Sequence, residues 1–323
     1  MKGLAWDRVV SIVLITPSVI AVAVFVYGFI GWTGWVSLSK WDGLRPNYDL
    51  AGWVNFDRLL NNSRFQIDVR NTIVFTLLFL AACLIIGLLL AILLDQKIRG
   101  ENLFRSLFLF PMAVSFIVTG VVWRWLMVPS SGLNTLFAAA GLDFLKSAWY
   151  TSPTVLHIQP ESGLAQVLAR VGLGGLASPN FGLPLALISI VIAAAWQMSG
   201  FVMAMFLAGI RGIPEELRDA ARVDGASEVQ VYRHVVLPLL KPVTLSAAIV
   251  LGHISLKIFD LVASLSKQGP GFATDVPAFF MFQTTFQGDH FAQGSAIAVF
   301  MLLSVSLLVI PYLVYNIRRE IEV

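Results

Sequence analysis

The sequence predicts an all-α integral membrane protein with six transmembrane helices. Three observations carry this. Apolar residues make up 57% of the 323 and charged residues only 13%, with a mean hydropathy of +0.80, against roughly 25% charged in a soluble domain. The apolar residues gather in stretches long enough to cross a hydrocarbon core of about 30 Å, which takes about 20 residues of helix. Charged residues fall between these stretches, and lipid leaves the backbone no partners but its own, so each stretch is expected to be helical.

The first stretch, about 9–36, carries no charge before Lys40. It is longer than the 7 to 15 residue core of a signal peptide and no clear small-residue cleavage site follows it, so it is read as a retained span. The second, about 71–94, is bounded by Arg70 and Asp95; the third covers 105–128 and the fourth 183–210. Pro111 and Pro184 sit at or near the starts of the third and fourth, where a missing amide hydrogen matters least. The fifth, about 242–262, is interrupted by His253, Lys257 and Asp260, whereas the sixth, about 291–317, is clean. No repeat divides the chain, so residues 1–323 are expected to form one membrane domain.

An even number of spans puts both termini on one side. That side, with Lys2, Arg8, Arg99, Arg105 and the 211–241 loop, has the denser basic residues and is expected to be cytoplasmic. Residues 129–182 then form an extracytoplasmic loop, punctuated by Gly132, Pro153, Pro160, Gly172, Gly174, Gly175 and Pro179, which suggests short helices and turns. A net charge of +3 without a basic stripe excludes nucleic acid as a partner. Cys83, the single cysteine, can form no internal disulfide. The four histidines show no metal-ligand spacing, and no HExxH or GxSxG pattern appears, so neither a metal site nor a catalytic residue is expected.

The 211–241 loop holds most of the sequence IPEELRDAARVDGASEVQVYRHVVLPLLKP (residues 213–242), too polar for the bilayer yet rich in helix formers. Pro214 suits a first helical turn, and Glu215 and Glu216 complement its positive end. Asp224-Gly225 interrupts this helix, Ser227 can cap a second one, and Pro238 is expected to end it. Val231, Tyr232, Val235 and Val236 recur at helical spacing. That apolar face can enter a groove of a partner protein or pack beneath its own bundle, and periodicity leaves both open.

The segment DAARVDGASEVQVYRHVVLPLL resembles the EAA loop of bacterial ABC importer permeases. In that family Glu-Ala-Ala, a Gly six residues after the Glu, and a closing Leu-Pro recur. Asp219, Ala220 and Ala221 fill the triplet, Gly225 its place, and Leu237-Pro238 the close. Asp224-Gly225-Ala226 and Ile213-Pro214 are similar to the maltose-type MalF/UgpA group of carbohydrate-uptake permeases. The departure is Asp219 for Glu, which shortens the carboxylate by one methylene. FLFPMAVSFIVTGVVWRWLM, AWQMSGFVMAMFLAGIRGIP and KIFDLVASLSKQGPG extend the resemblance over nearly the whole chain.

The resemblance implies an importer permease fold with a cytoplasmic coupling-helix loop. It implies pairing with a second homologous permease, two cytoplasmic ATPase subunits, an extracytoplasmic binding protein and a carbohydrate substrate, in a bacterial or archaeal cytoplasmic membrane. ATPase docking falls to Glu216, Asp219, Ala220, Ala221, Asp224, Gly225, Ala226, Tyr232, Leu237 and Pro238. No GxxxxGK[ST] loop is present, so ATP and Mg are expected on the partner subunits and this chain is not an enzyme. Alignment on the Ile-Pro and Gly-Pro landmarks points to Gln197, Met198, Phe201, Ser255 and Ile258 for substrate contact. Lys257 and Asp260 join them because ionisable residues in a span are costly, although on a helix the two also share a face and can pair with each other. A secondary transporter or channel for a small polar solute is the competing reading, and it leaves the 211–241 loop without a purpose.

Overall fold

The computed structural model describes residues 2–96, 98–159, 161–172, 178 and 181–321; Lys97, Pro160, Gly174, Gly175 and Pro179 lie outside them. The chain divides into two compact units, Met1–Asn62 with Met281–Leu303, and Ser63–Phe280 with Ser304–Val323.

In the first unit α1 (Lys2–Val22) passes through a π turn (Ala23–Gly28) into α2 (Phe29–Ser37). Residues Val10–Ser37 are long and apolar enough to cross a membrane, and burial within the chain is confined to their last turn, at Val36 and Ser37. The chain then folds back. Ser39 bridges Leu50, and Asn55 on α3 (Val54–Leu60) donates from Nδ2 to the carbonyls of Ser37 and Ser39 at 2.9 and 2.8 Å. The amide of Ala292 donates to Trp41 O, and the Trp41 ring stacks on Phe291 at 4.8 Å.

The second unit is built around α4 (Ser63–Asp95) and the helix that runs along it, Leu185–Arg211. Between them lie α5 (Glu101–Ala113), α6 (Phe116–Leu126), α7 (Leu133–Ala139) and α8 (Gly163–Arg170). Short helices and turns fill the described part of 129–182. Asn134 ties them together, donating to Pro129 O and Ser147 O while accepting from Trp149 Nε1. A two-residue antiparallel pair, β1 (Val155–Leu156) on β2 (Leu183–Pro184), leads into α9, the Leu185–Arg211 helix. Ile190, Ala194, Val202, Met203 and Ile210 of α9 are fully buried, which makes it the axis of the unit.

The expected third and fifth spans are not straight rods. α5 and α6 meet at 99°, because Pro111 occupies the last turn of α5, Val114 turns extended, and Ser115 caps a new helix by accepting from Val118 N. Pro111 therefore marks the end of a helix, not the start of a span. Pro238 also fails to end its helix: a π turn (Tyr232–Val236) carries the chain into α12 (Leu237–Leu239), and the bend of 63° falls at Leu240, before α13 (Lys241–Leu256). The added π residue gives the proline ring room where a regular turn would clash. α13 stops at Leu256, and α14 (Asp260–Leu265) begins after Lys257 and Phe259 leave helical geometry. The chain closes with α15 (Pro277–Phe282), a π turn (Gln283–Gln287) and α16 (Phe291–Ile321). Among the described residues, four helices are long and apolar enough to cross a membrane, or up to 6 if each bent pair is one span.

Close helix crossings need a missing side chain, as is usual where lipid supplies little drive for association. A Cβ on Gly87 would lie 2.6 Å from Val202 Cγ1, and one on Gly200 only 1.9 Å from Phe108 O. The second contact is with backbone and cannot yield cheaply. Gly200→Ala is therefore expected to lower stability by about 1–3 kcal/mol, read as a fall in the melting temperature of the solubilised protein. Gly31→Ala, where nothing lies within 4 Å of the new atom, serves as the comparison and leaves it unchanged or raised.

Candidate functional site

The 211–241 loop is shaped by its own backbone first. α10 (Glu215–Val223) ends in a turn where Gly225 takes φ +86°. There the amide of Ala226 donates to Ala221 O and that of Gly225 to Arg222 O, both at 3.0 Å. These two bonds are the Schellman pattern that closes a helix on a left-handed residue, so the Ala-Ala and the Gly of the motif occupy one hydrogen-bonded turn. α11 (Glu228–Val231) then starts with Gln230 Oε1 accepting from both the amide and the hydroxyl of Ser227.

An arginine clamps the two helices across that turn. Arg222 donates from Nη1 to Asp219 at 2.8 Å and from Nε to Glu228 at 2.7 Å. These bonds raise the guanidinium above its usual range and hold the Glu228 carboxyl below its own. Asp219, the shortened member of the motif, thus finds its partner one turn away.

The two apolar faces of the loop have different fates. Val231, Val236 and Leu240 are buried within the unit, so the second helix packs beneath its own bundle. α10 buries nothing: Leu217 is 48% exposed, Val223 87%, and Val229 beyond the turn 76%. Of the ten predicted docking residues, Ala221, Ala226 and Tyr232 are half-buried and the other seven are exposed.

Tyr232 faces inward. Its hydroxyl donates to Asp95 Oδ2 at 2.7 Å, and Arg218 Nη1 reaches the same oxygen at 3.0 Å while its Nη2 donates to Ile210 O at 2.7 Å. Asp95 and Arg218 are 10% and 14% exposed, so this knot at the end of α4 is poorly screened by water. Beside it, Glu101 Oε1 accepts from Arg105 and Arg211, joining the start of α5 to the end of α9. The sequence marks Asp95 only as a span boundary and leaves Arg218 out; a lone carboxylate closing a span beside a basic loop was the available signal.

The opposite end of α4 is tied as firmly. Arg64 forms an ion pair with buried Asp275 at 2.6 Å and lies over the rings of Phe272 and Phe280. Asn71 Nδ2 donates to the carbonyls of Phe272 and Asp275, and its Oδ1 accepts from Arg70.

The predicted substrate residues separate into two sets. Gln197 is 3% exposed and donates from Nε2 to Val114 O at 2.6 Å, satisfying a carbonyl at the break between α5 and α6. Ser255 is fully buried, accepting from Thr76 and donating to Gly252 O. Met198 and Ile258 are each 6% exposed. Phe201 is half-buried, and Lys257 and Asp260 are exposed. The helix break between them removes the shared face expected for Lys257 and Asp260, and no ion pair joins them among the described residues. Trp196 turns elsewhere, edge-on to Trp123 in an apolar cleft of about 640 Å³.

Residues 83–322 match the sequence profile described as "binding-protein-dependent transport system inner membrane component". The chain belongs to this family. Relatives of the permease span nearly all of it. A probable ABC transporter permease protein of Pyrococcus horikoshii is 39% identical, covering 96% of each chain. A xylose/arabinose import permease protein of Haloferax volcanii is 31% identical over 93% of this chain and 86% of its own. The fold is that of a chain in the crystal structure of a bacterial ABC transporter involved in the import of the acidic polysaccharide alginate, with a TM-score of 0.74 at 19% identity, covering 98% and 96% of the two chains. Its relatives are transport components, not enzymes.

In the permease, Asp95 accepts from two groups at once, so its removal strands Arg218. Asp95→Ala is expected to cost about 1.5–3 kcal/mol and Tyr232→Phe about 1 kcal/mol. A double-mutant cycle of Asp95→Ala with Arg218→Ala, followed by thermal unfolding, is expected to show a coupling of at least about 0.5 kcal/mol. Additive losses would mean that the contact carries no coupling.

Proposed function

We propose that this permease pairs with a second, similar permease and passes carbohydrate from an extracytoplasmic binding protein into the cytoplasm, driven by two cytoplasmic ATPase subunits that engage α10. The observation that carries this reading is the state of the 211–241 loop. α10 is fully formed, exposes Leu217 and Val223, and is tied by Arg218 to Asp95 at the end of α4, which Tyr232 of the later π turn also reaches. A helix that leaves its apolar side chains uncovered while its root is fixed to a span is suited to receive a push and deliver it. ATP and Mg act on the partner subunits, and movement reaches this chain mechanically as rigid-body switching of packed helices.

The carbohydrate assignment rests on relatives. The Haloferax protein is described for xylose and arabinose, and a trehalose/maltose transport system permease protein of Thermococcus litoralis is 29% identical over 95% of this chain and 94% of its own. Among the described residues, Phe201, Lys257 and Asp260 offer the accessible surface for substrate. Gln197, Met198, Ser255 and Ile258 are buried and need a helix movement to reach a sugar. Both termini and the 211–241 loop lie on the cytoplasmic side, following the denser basic residues.

Gly225→Asp is the direct test. A side chain at φ +86° strains the turn that sets the angle between the helices, and the added charge sits beside Asp224. Co-purification of the wild-type chain is expected to bring down an ATPase subunit and a second permease, and the variant is expected to lose the ATPase while remaining inserted in the membrane. A chain that purifies alone and still transports its solute would sink the proposal in favour of a secondary transporter.

A further inference from the structure

The first unit contains a cleft of about 400 Å³ with no part in the coupling loop or among the predicted substrate residues. Lys40 and Arg58 line it, together with Trp41, Asp42, His290 and Gln293. Asp42 is engaged with His290 Nδ1. Lys40 and Arg58 have no carboxylate partner among the described residues. Lys40 and Arg58 outnumber Asp42, the one carboxylate of the lining, and an excess of cations facing a cleft within the volume range of ligand sites, about 300–1,000 Å³, favours an anion.

The surroundings say where that anion comes from. The cleft lies at the C-terminal end of the Val10–Ser37 stretch, which is long and apolar enough to cross a membrane and exposes its most apolar part. Trp32, Trp35, Tyr48 and Trp53 are 49%, 47%, 43% and 74% exposed at that same end, an accumulation of amphipathic rings that marks the headgroup level of a bilayer. The rings also connect the cleft to the helix. Trp41 in the cleft wall stands edge-on to Tyr48 at 5.4 Å, and Tyr48 edge-on to Trp32 at 5.4 Å. A ligand with its charge beside Lys40 and Arg58 therefore has a continuous aromatic path for an apolar tail, leading to the exposed Phe29, Phe25 and Val26.

We propose that this cleft binds the phosphate of an anionic phospholipid, held by Lys40 and Arg58, with the acyl chains lying along Trp32 and the α1–α2 helix. The site is independent of the transported solute. Soluble phosphate shares the chemistry of the headgroup but has no use for the aromatic path.

Native mass spectrometry of the delipidated importer containing this chain, supplied with phosphatidylglycerol or phosphatidylcholine, tests the site. The wild-type complex is expected to retain phosphatidylglycerol in preference, and Lys40→Gln with Arg58→Gln to lower that preference by roughly thirty-fold. Arg45→Gln, which changes the charge in the same loop outside the cleft, is expected to leave it intact, as is the conservative Lys40→Arg. Equal retention of the two lipids by wild type, or an equal loss in the Arg45 variant, overturns the proposal. Displacement of phosphatidylglycerol by millimolar inorganic phosphate would overturn the lipid as the source and leave a small-anion site; failure of phosphate to displace it supports the headgroup.

Discussion

The second unit depends on a mismatch of lengths. α4 has 33 residues and so spans about 50 Å at 1.5 Å per residue, well beyond a hydrocarbon core of about 30 Å. Its ends can therefore carry charge. The C-terminal end places Asp95 where Arg218 and Tyr232 converge, and the N-terminal end places Arg64 and Asn71 against the 272–275 segment. The middle is apolar and closely packed on α9 through Gly87. One rigid element thus has a polar grip at each end. A displacement of the coupling loop cannot be absorbed near Asp95 without either breaking a poorly solvated ion pair or moving the whole helix, and breaking such a pair strands a charge.

The breaks elsewhere complement that rod. Where α4 is continuous, α5–α6 bends by 99° and α11–α13 by 63°, each at a proline-containing segment. Non-helical backbone at membrane depth is tolerated when protein satisfies it, and Gln197 does so for Val114. The amide proposed for sugar contact also holds a kink, so a ligand that reached it would compete with helix geometry for the same side chain. Its Oε1 is buried without a partner, which leaves one hydrogen-bonding position open at the break.

Much of this architecture was legible in the sequence, for identifiable reasons. Apolar length located the long helices because lipid imposes a fixed thickness. The break at Asp224-Gly225 and the Ser227 cap were legible because both are local hydrogen-bond patterns, complete within a few residues, whereas only the family resemblance pointed to a coupling role. Properties that depend on partners distant in sequence were not legible. Pro111 and Pro238 announce irregular backbone, but which neighbour accommodates the bend is decided by packing. Lys257 and Asp260 look like an i, i+3 pair until the helix stops at Leu256. The Asp95 knot joins residues more than a hundred positions apart, and only the fold brings them together.

The Schellman turn at Gly225 and the Arg222 clamp also bear on the thermodynamics of assembly. A recognition element that is disordered when free must be ordered by its partner, which subtracts several kcal/mol from the contact energy. Here α10, its closing turn and the start of α11 are already hydrogen-bonded to one another, so little ordering entropy stands between contact and affinity. The exposed Arg222–Asp219 and Arg222–Glu228 pairs place that shape under the control of ionic strength. Association of this loop with a partner is then expected to be fast and enthalpically simple at low salt, with little change in heat capacity beyond the area covered.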